Sequence, residues 1–318
     1  MNIKISGKKV IVFGGTGFIG SHLVNSLCRN ACQVDIITRS NRKKLDFFIG
    51  HEPGQLRVIK VDSFEKKNLD KLIQGADIVF NLIGILYESK KNSFIRAHVD
   101  IPREIAASAS RVGVSNFVHL SALNIEKFSN SSYATSKLTG ESEIKQKFPN
   151  CVIVRPSVVF GKGDNFTNFF FKLSKISPIL PLIGTPEIIF KNLIPIFNFK
   201  KKVKFQPVYV GDLVSFLINV CILKKKFLDI AGPSVQSFDQ IFDVILDSRK
   251  KKRIYLPLPF FIANVLAFFL ELLPHPLLTR DQIRLLQKDS ISSKGFLNLK
   301  QFVKNPSSLK SIVDSYLN

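Results

Sequence analysis

Cysteine is sparse in this chain. Cys28, Cys32, Cys151 and Cys221 stand at spacings that fit neither a zinc site nor a disulfide framework, so the simple inference is a reducing compartment. Histidine is scarce too: none of the 5 residues has a second ligand at metal spacing, and His22 and His98 fall in helical patterns that suit structural roles. Carboxylates are outnumbered, 24 Asp and Glu against 46 Lys and Arg, for a formal net charge of +22. That balance favours anionic partners, whether phosphorylated ligands, nucleic acid or an anionic membrane face. No recognised nucleic-acid motif accompanies the charge, so a nucleic-acid partner is not expected. The basic runs Arg42-Lys43-Lys44, Lys200-Lys201-Lys202, Lys224-Lys225-Lys226 and Arg249 to Arg253 read first as solvated surface. There is no leader pattern: a strand begins within the opening residues, so a cytoplasmic chain is expected. Internal repeats and low-complexity tracts are absent.

What is present is a full core composition, 45% hydrophobic over 318 residues, arranged as alternating strand and helix patterns. Val10–Phe13 is followed by a helix over Gly17–Cys28. Strands at Gln33–Ile37 and Leu56–Val61, a helix at Phe64–Ile73 and a strand at Asp77–Ile83 come next. A long helix at Ser93–Val112, with a kink expected at Pro102, leads to a strand at Asn116–Leu120, a helix at Tyr133–Lys147 and a strand at Val152–Val154. This alternation predicts an α/β fold, a doubly wound parallel sheet that binds its ligand at the carboxyl ends of the strands. Beyond Gly161 the pattern loosens. Residues 1–160 are expected to form the sheet domain and 161–318 a smaller mixed C-terminal lobe, with Phe205–Leu223 returning to the sheet. Ser177–Lys204, rich in Pro, Phe and then Lys, reads as a loop or hairpin.

The most informative stretch is Gly14-Gly15-Thr16-Gly17-Phe18-Ile19-Gly20, set between the first strand and the first helix. Glycines in that context let the backbone turn tightly and let a pyrophosphate approach the helix N-terminus. A dinucleotide site is therefore expected at Gly14, Thr16, Gly17, Phe18, Ile19 and Gly20. The end of the second strand selects the coenzyme: a carboxylate there favours NAD, an Arg favours NADP. Thr38-Arg39-Ser40 offers no carboxylate, Arg42 and Lys43 follow, and Asp35 lies too early in the strand. NADP(H) is favoured over NAD(H). Asp62 is placed to meet the adenine amino group, and Asn81-Leu82-Ile83-Gly84 closes the fourth strand with a small residue where the coenzyme passes.

Tyr133 and Lys137 stand at i and i+4, on one helix face. A phenol ionises near pH 10, and Lys⁺ together with an oxidised nicotinamide would lower that value. Tyr133 then exchanges a proton with a substrate oxygen during hydride transfer, while Lys137 also holds the nicotinamide ribose. Ser121, at the end of the fifth strand, orients the same oxygen; Ser131 and Ser132 compete for that job. The same geometry also serves as a coenzyme clamp without turnover.

With the glycine turn, Asn81-x-x-Gly84, Ser121, Tyr133-x-x-x-Lys137 and Arg155-Pro156-Ser157 in hand, the chain resembles the short-chain dehydrogenase/reductase superfamily. It is most similar to the atypical branch containing the nucleotide-binding accessory subunit of respiratory complex I and its bacterial relatives. The resemblance runs nearly end to end, through Phe205–Asp212, Leu256–Phe260 and Pro274–Gln282. It implies an extended-type Rossmann fold, a bound NADPH that Pro156 and Ser157 also approach, and a place among respiratory complex I subunits or quinone-biosynthesis proteins. Members of that branch hold the coenzyme largely for structure. The joint presence of Ser121, Tyr133 and Lys137 keeps an oxidoreductase acting on a lipophilic carbonyl or quinone precursor in view, and a nucleotide-sugar epimerase or dehydratase behind it. Thr185–Lys204 is longer than the connection expected there.

Phe260–Leu273 is apolar almost all round. As a helix it is about 21 Å long, short of the about 30 Å of a bilayer core. Beside Lys250–Arg253 it fits either a peripheral contact with an anionic membrane, on the inner face of the cell membrane or the mitochondrial matrix side, or a groove for a lipid-like substrate. A helix buried in the C-terminal lobe is the plainer alternative.

Overall fold

The computed structural model describes residues 5–39, 52–64, 66–90, 92–184, 186–191, 194–198 and 202–317. Arg42, Lys43, Lys44, Lys200 and Lys201 lie outside the described residues. The chain runs β1 (Lys9–Phe13), α1 (Phe18–Arg29), β2 (Gln33–Thr38), β3 (Leu56–Lys60), α2 (Lys66–Ile73) and β4 (Ile78–Asn81). A π-helical turn over Arg96–Asp100 then opens into α3 (Ile101–Arg111), and β5 (Asn116–Leu120), α4 (Ser132–Lys147), β6 (Val152–Pro156) and β7 (Val159–Phe160) follow. The C-terminal half carries α5 (Thr167–Ile176), β8 (Ile179–Ile183), β9 (Glu187–Lys191), β10 (Ile194–Asn198), β11 (Lys204–Phe205), β12 (Val208–Tyr209), α6 (Val210–Val220), β13 (Lys226–Ile230) and β14 (Gln236–Ser237). It ends with α7 (Phe238–Asp247), β15 (Ile254–Leu258), α8 (Phe260–Leu270), α9 (Arg280–Leu285), α10 (Ser293–Phe302) and α11 (Leu309–Ile312).

A seven-stranded parallel sheet in the order β13-β6-β5-β4-β1-β2-β3 organises the molecule. Its strands are apolar on both faces because helices cover both. Alternation along each strand sorts the side chains. Val10, Val12, Ile36, Phe80, Val118 and Val154 pack with α1 and α6 on one side. Ile11, Phe13, Val79, Phe117 and Ile153 pack on the other with Ile105 and Ala109 of α3 and Ile144 of α4. The strand order reverses between β1 and β4, which opens a crevice at their carboxyl ends.

Three features depart from the sequence reading. The seventh strand, β13, begins at the last residue of the Lys224–Lys226 run and pairs with β6. The long helix carries the π-helical turn 96–100 just ahead of Pro102, a residue with no N–H to give to the helix ladder. Within Ser177–Lys204, β8 pairs in parallel with β15, and β9 and β10 form an antiparallel hairpin. A separate cluster of Phe170, Leu180, Phe238, Phe242 and Leu317 forms the core of the C-terminal lobe.

Candidate functional site

The glycine turn stands at the reversal point. Gly14 has φ +80, a left-handed conformation that favours glycine, and a Cβ on it would meet the backbone of Leu82 at 3.0 Å and Ile83 N at 3.1 Å. A Cβ on Gly20 would overlap the Gly14 carbonyl oxygen and lie 2.7 Å from Gly15 Cα. The turn is closed by Gly17 N–H donating to Gly14 O at 3.0 Å. α1 begins at Phe18 with no acidic residue in its first turn and no side-chain cap at Gly17. A helix N-terminus of this kind favours an anion.

Around it, Thr16 Oγ1 meets Thr38 Oγ1 at 3.2 Å, joining the turn to the end of β2. Phe18 packs edge-on against His22, and Ile19 leans on the core under the sheet. Arg39 emerges after β2, donates to Asn92 Oδ1 at 2.8 Å and lies over the Phe64 ring. Asp35 is engaged inside the strand by Arg57, at 2.7 and 2.6 Å. Asp62 is exposed beyond β3, at the edge of the sheet.

Across the crevice, Asn81 is fully buried. Its Oδ1 accepts from Ile83 N–H at 3.1 Å, and its Nδ2 donates to His119 Nδ1 at 3.1 Å. Asn81 therefore shapes the turn after β4 rather than facing outward. The bond leaves the His119 proton on Nε2, and that atom is buried without a hydrogen-bond partner. Ser121 Oγ, two residues along the same strand face, is also buried without a partner. Buried orphans of this kind call for a partner.

α4 brings in the other two groups. Lys137 is buried, and its Nζ donates to Leu120 O at 3.2 Å, one residue from Ser121. The same Nζ lies 3.3 Å from where a Gly84 Cβ would stand. Burial lowers the Lys137 ammonium to about 8, against the pull of Glu141. Tyr133 packs edge-on against His98 and Phe94, at 5.2 and 5.9 Å between ring centres. Burial, helped by the Asp281 carboxylate, raises its phenol to about 12. The sequence reading expected Lys137 and an oxidised nicotinamide to lower it; in the protein's own field burial and Asp281 set the direction.

The structure thus brings Gly84, Ser121, Tyr133 and Lys137 to one end of the sheet. Ser131 and Ser132 serve another purpose. Ser131 caps α4, its Oγ accepting from Ala134 N–H and donating to Asp281 Oδ2 at 2.8 Å. Ser132 N–H and Tyr133 N–H donate to the same carboxylate at 2.9 and 3.1 Å. Pro156 and Ser157 are buried at the end of β6, and Ser157 Oγ donates to Ser290 O at 3.1 Å, so its hydroxyl is spent on the C-terminal lobe. Arg155 ties β6 to α4 through Glu141, at 2.8 and 2.5 Å.

His98, His119 and Asp281 belong to this site and were not singled out for it from sequence. His98 Nε2 accepts from Ile85 N–H at 3.1 Å, which puts the ring proton on Nδ1, donating to Ser136 Oγ at 2.9 Å. The Thr279-x-x-Gln282 spacing announces the helix that carries Asp281, but not what the carboxylate holds. Burial and the nearby Lys137 charge push His98 down to about 2 and His119 well below 6.5. Each ring therefore stays neutral when folded, while the unfolded chain takes up a proton as the pH falls below 6.5. Stability is expected to fall by about 1.4 kcal/mol per pH unit below that value for each ring. A urea midpoint that did not drop between about pH 7 and pH 5 would contradict both assignments.

The fold and site class them together: the chain belongs to the NAD dependent epimerase/dehydratase family, whose model matches residues 10–221. Over 312 residues it is 29% identical to the mitochondrial NADH dehydrogenase [ubiquinone] 1 alpha subcomplex subunit 9 of Mus musculus, covering 96% of this chain and 78% of that one. It is 32% identical over 175 residues to the ceramide reductase of Caulobacter vibrioides, covering 55% and 54%. Among solved structures, the UDP-glucuronic acid 4-epimerase of Bacillus cereus, in complex with UDP-glucuronic acid and NAD, superposes with a TM-score of 0.70. It is 15% identical and covers 97% of this chain and 98% of that one, a likeness of fold.

Proposed function

We propose that this chain is an NADP(H)-holding subunit of respiratory complex I, seated at the membrane face, in which the coenzyme serves chiefly to fix the structure. The observation that carries the coenzyme is the pair of buried, unpartnered atoms, Ser121 Oγ and His119 Nε2, opposite a turn whose Gly14 and Gly20 leave no room for a Cβ. Gly14, Thr16, Gly17, Phe18, Ile19 and Gly20 would cradle the diphosphate. Arg39 would take the 2′-phosphate, Asp62 the adenine, and Lys137 the nicotinamide ribose beside Gly84. Asn81, Pro156 and Ser157 shape the walls. The end-to-end likeness to the mouse subunit supports the complex I assignment.

A second reading, an oxidoreductase on a lipophilic carbonyl or quinone precursor working among quinone-biosynthesis proteins, draws on the Ser121, Tyr133 and Lys137 set and the ceramide reductase likeness. When bound, the coenzyme supplies hydride; Tyr133 would pass the proton and Ser121 orient the oxygen. The test is purification of the native protein with its coenzyme and its neighbours. NADPH rather than NADH is expected to copurify, along with complex I subunits. Tyr133→Phe is expected to change coenzyme retention less than about threefold, within one hydrogen bond's net worth, and to leave complex I levels intact. Loss of a quinone or lipid product in the Tyr133→Phe strain would favour the second reading.

A further inference from the structure

We propose that the outer face of α8, with the bare part of the β8–β15 sheet beside it, docks onto an anionic lipid bilayer. This deepens the placement at the membrane face, but it requires no complex I subunit. α8 is apolar but for Asn264, which donates to Phe260 O at 2.8 Å, yet the only side chains it buries fully are Ala263 and Ala267, which pack on Ile183, Leu258 and Ile283. Its bulky residues face away. Phe261, Val265 and Phe269, at i, i+4 and i+8, are 60%, 58% and 60% exposed, and Ile262, Leu266 and Phe268 flank them.

The sheet beneath extends the patch. β15 turns Tyr255 inward onto Phe242 and Ile254 and Leu256 outward. Leu258, on the outward side, is covered by α8, whereas Ile254 and Leu256 are exposed together with Ile179, the partner of Ile254 on β8. Bulky apolar side chains exposed in this number, on a helix and on the strand that leads into it, mark an interaction site.

Charge selects the occupant. Between Ser248 and Arg280 the chain carries Arg249, Lys250, Lys251, Lys252, Arg253 and Arg280, with Glu271 the one carboxylate. Glu271 is engaged by Arg280, at 2.6 Å to its N–H and 2.8 Å to Nε. The basic run leads directly into the exposed strand, and Lys250 and Lys252 are exposed. Apolar bulk rimmed by cations is the chemistry of an anionic headgroup layer over acyl chains. At about 16 Å, α8 is too short to span, and no helix among the described residues is long and apolar enough to cross a membrane. Seated on its two alanines, it enters the interface side-on.

Flotation of the purified full-length protein with phosphatidylcholine vesicles, with and without phosphatidylglycerol, tests this. Binding is expected with phosphatidylglycerol and is expected to weaken with salt. Phe261→Ser/Val265→Ser/Phe269→Ser should lower partitioning about a hundredfold or more, and Lys250→Gln/Lys252→Gln about tenfold or more. These side chains are exposed, so circular dichroism and NADPH retention should stay as in the parent. Absence of vesicle binding, binding indifferent to both variants, or a self-associated parent made monomeric by the serine variant would each overturn the proposal. Failure of NADPH to bind would instead count against the coenzyme reading and leave this one standing.

Discussion

Gly20→Ala is expected to abolish coenzyme retention. The new methyl would overlap the Gly14 carbonyl, and neither that carbonyl nor Gly15 Cα is a flexible side-chain end that can swing away. The turn must open, at a cost of about 3 kcal/mol, roughly a hundredfold in Kd if that cost falls on the bound form. Gly17→Val separates fold from binding. Gly17 is exposed, and its Cβ would approach only Gly14 O, at 3.2 Å. Its side chain would occupy the mouth of the cradle, at a smaller stability cost than Gly20→Ala. NADPH fluorescence titration and urea unfolding, run on both variants, give the two readouts. Unimpaired NADPH binding by Gly17→Val would remove the glycine turn from the site.

Gly140→Ala is the second large effect. α4 crosses the π-helical turn so closely that a Cβ on Gly140 would sit inside the His98 carbonyl oxygen, with His98 C only 3.0 Å away. Two backbones must separate to admit the methyl, so a loss of about 3 kcal/mol or more is expected despite alanine's better helix propensity. The displacement would pull Tyr133 off the His98 ring and Lys137 off Leu120 O, so coenzyme affinity should fall with stability. An unchanged urea midpoint would show that the packing is looser than described.

The parts of the site visible in sequence are those fixed by neighbours along the chain. The glycine turn declares itself because strand, turn and helix are contiguous. Tyr133 and Lys137 declare themselves because four residues is one helical turn. Arg39 and Ser121 are found by counting to strand ends. What could not be read is what distant elements bring together. Asp281 reaches the start of α4 from the far lobe, and no local period encodes that. His98 and His119 look like isolated histidines until β4, β5 and the π-helical turn converge on them. β13 escaped because an edge strand needs little apolar character: two lysines lead into it, a third is its first residue, and its first two residues are exposed.

The Asp281 carboxylate has a mechanical implication. It sits next to Arg280, which grips Glu271 at the end of α8, and it accepts from the Ser132 and Tyr133 amides at the start of the helix that carries Tyr133 and Lys137. If the bilayer and the coenzyme bind as proposed, two ligands of very different kinds would act on neighbouring residues of one short helix. By reciprocity, whatever factor vesicles apply to the nucleotide's affinity, the nucleotide must apply to the vesicles. Asp281→Asn, which weakens that helix's hold on α4, should drive that factor toward one.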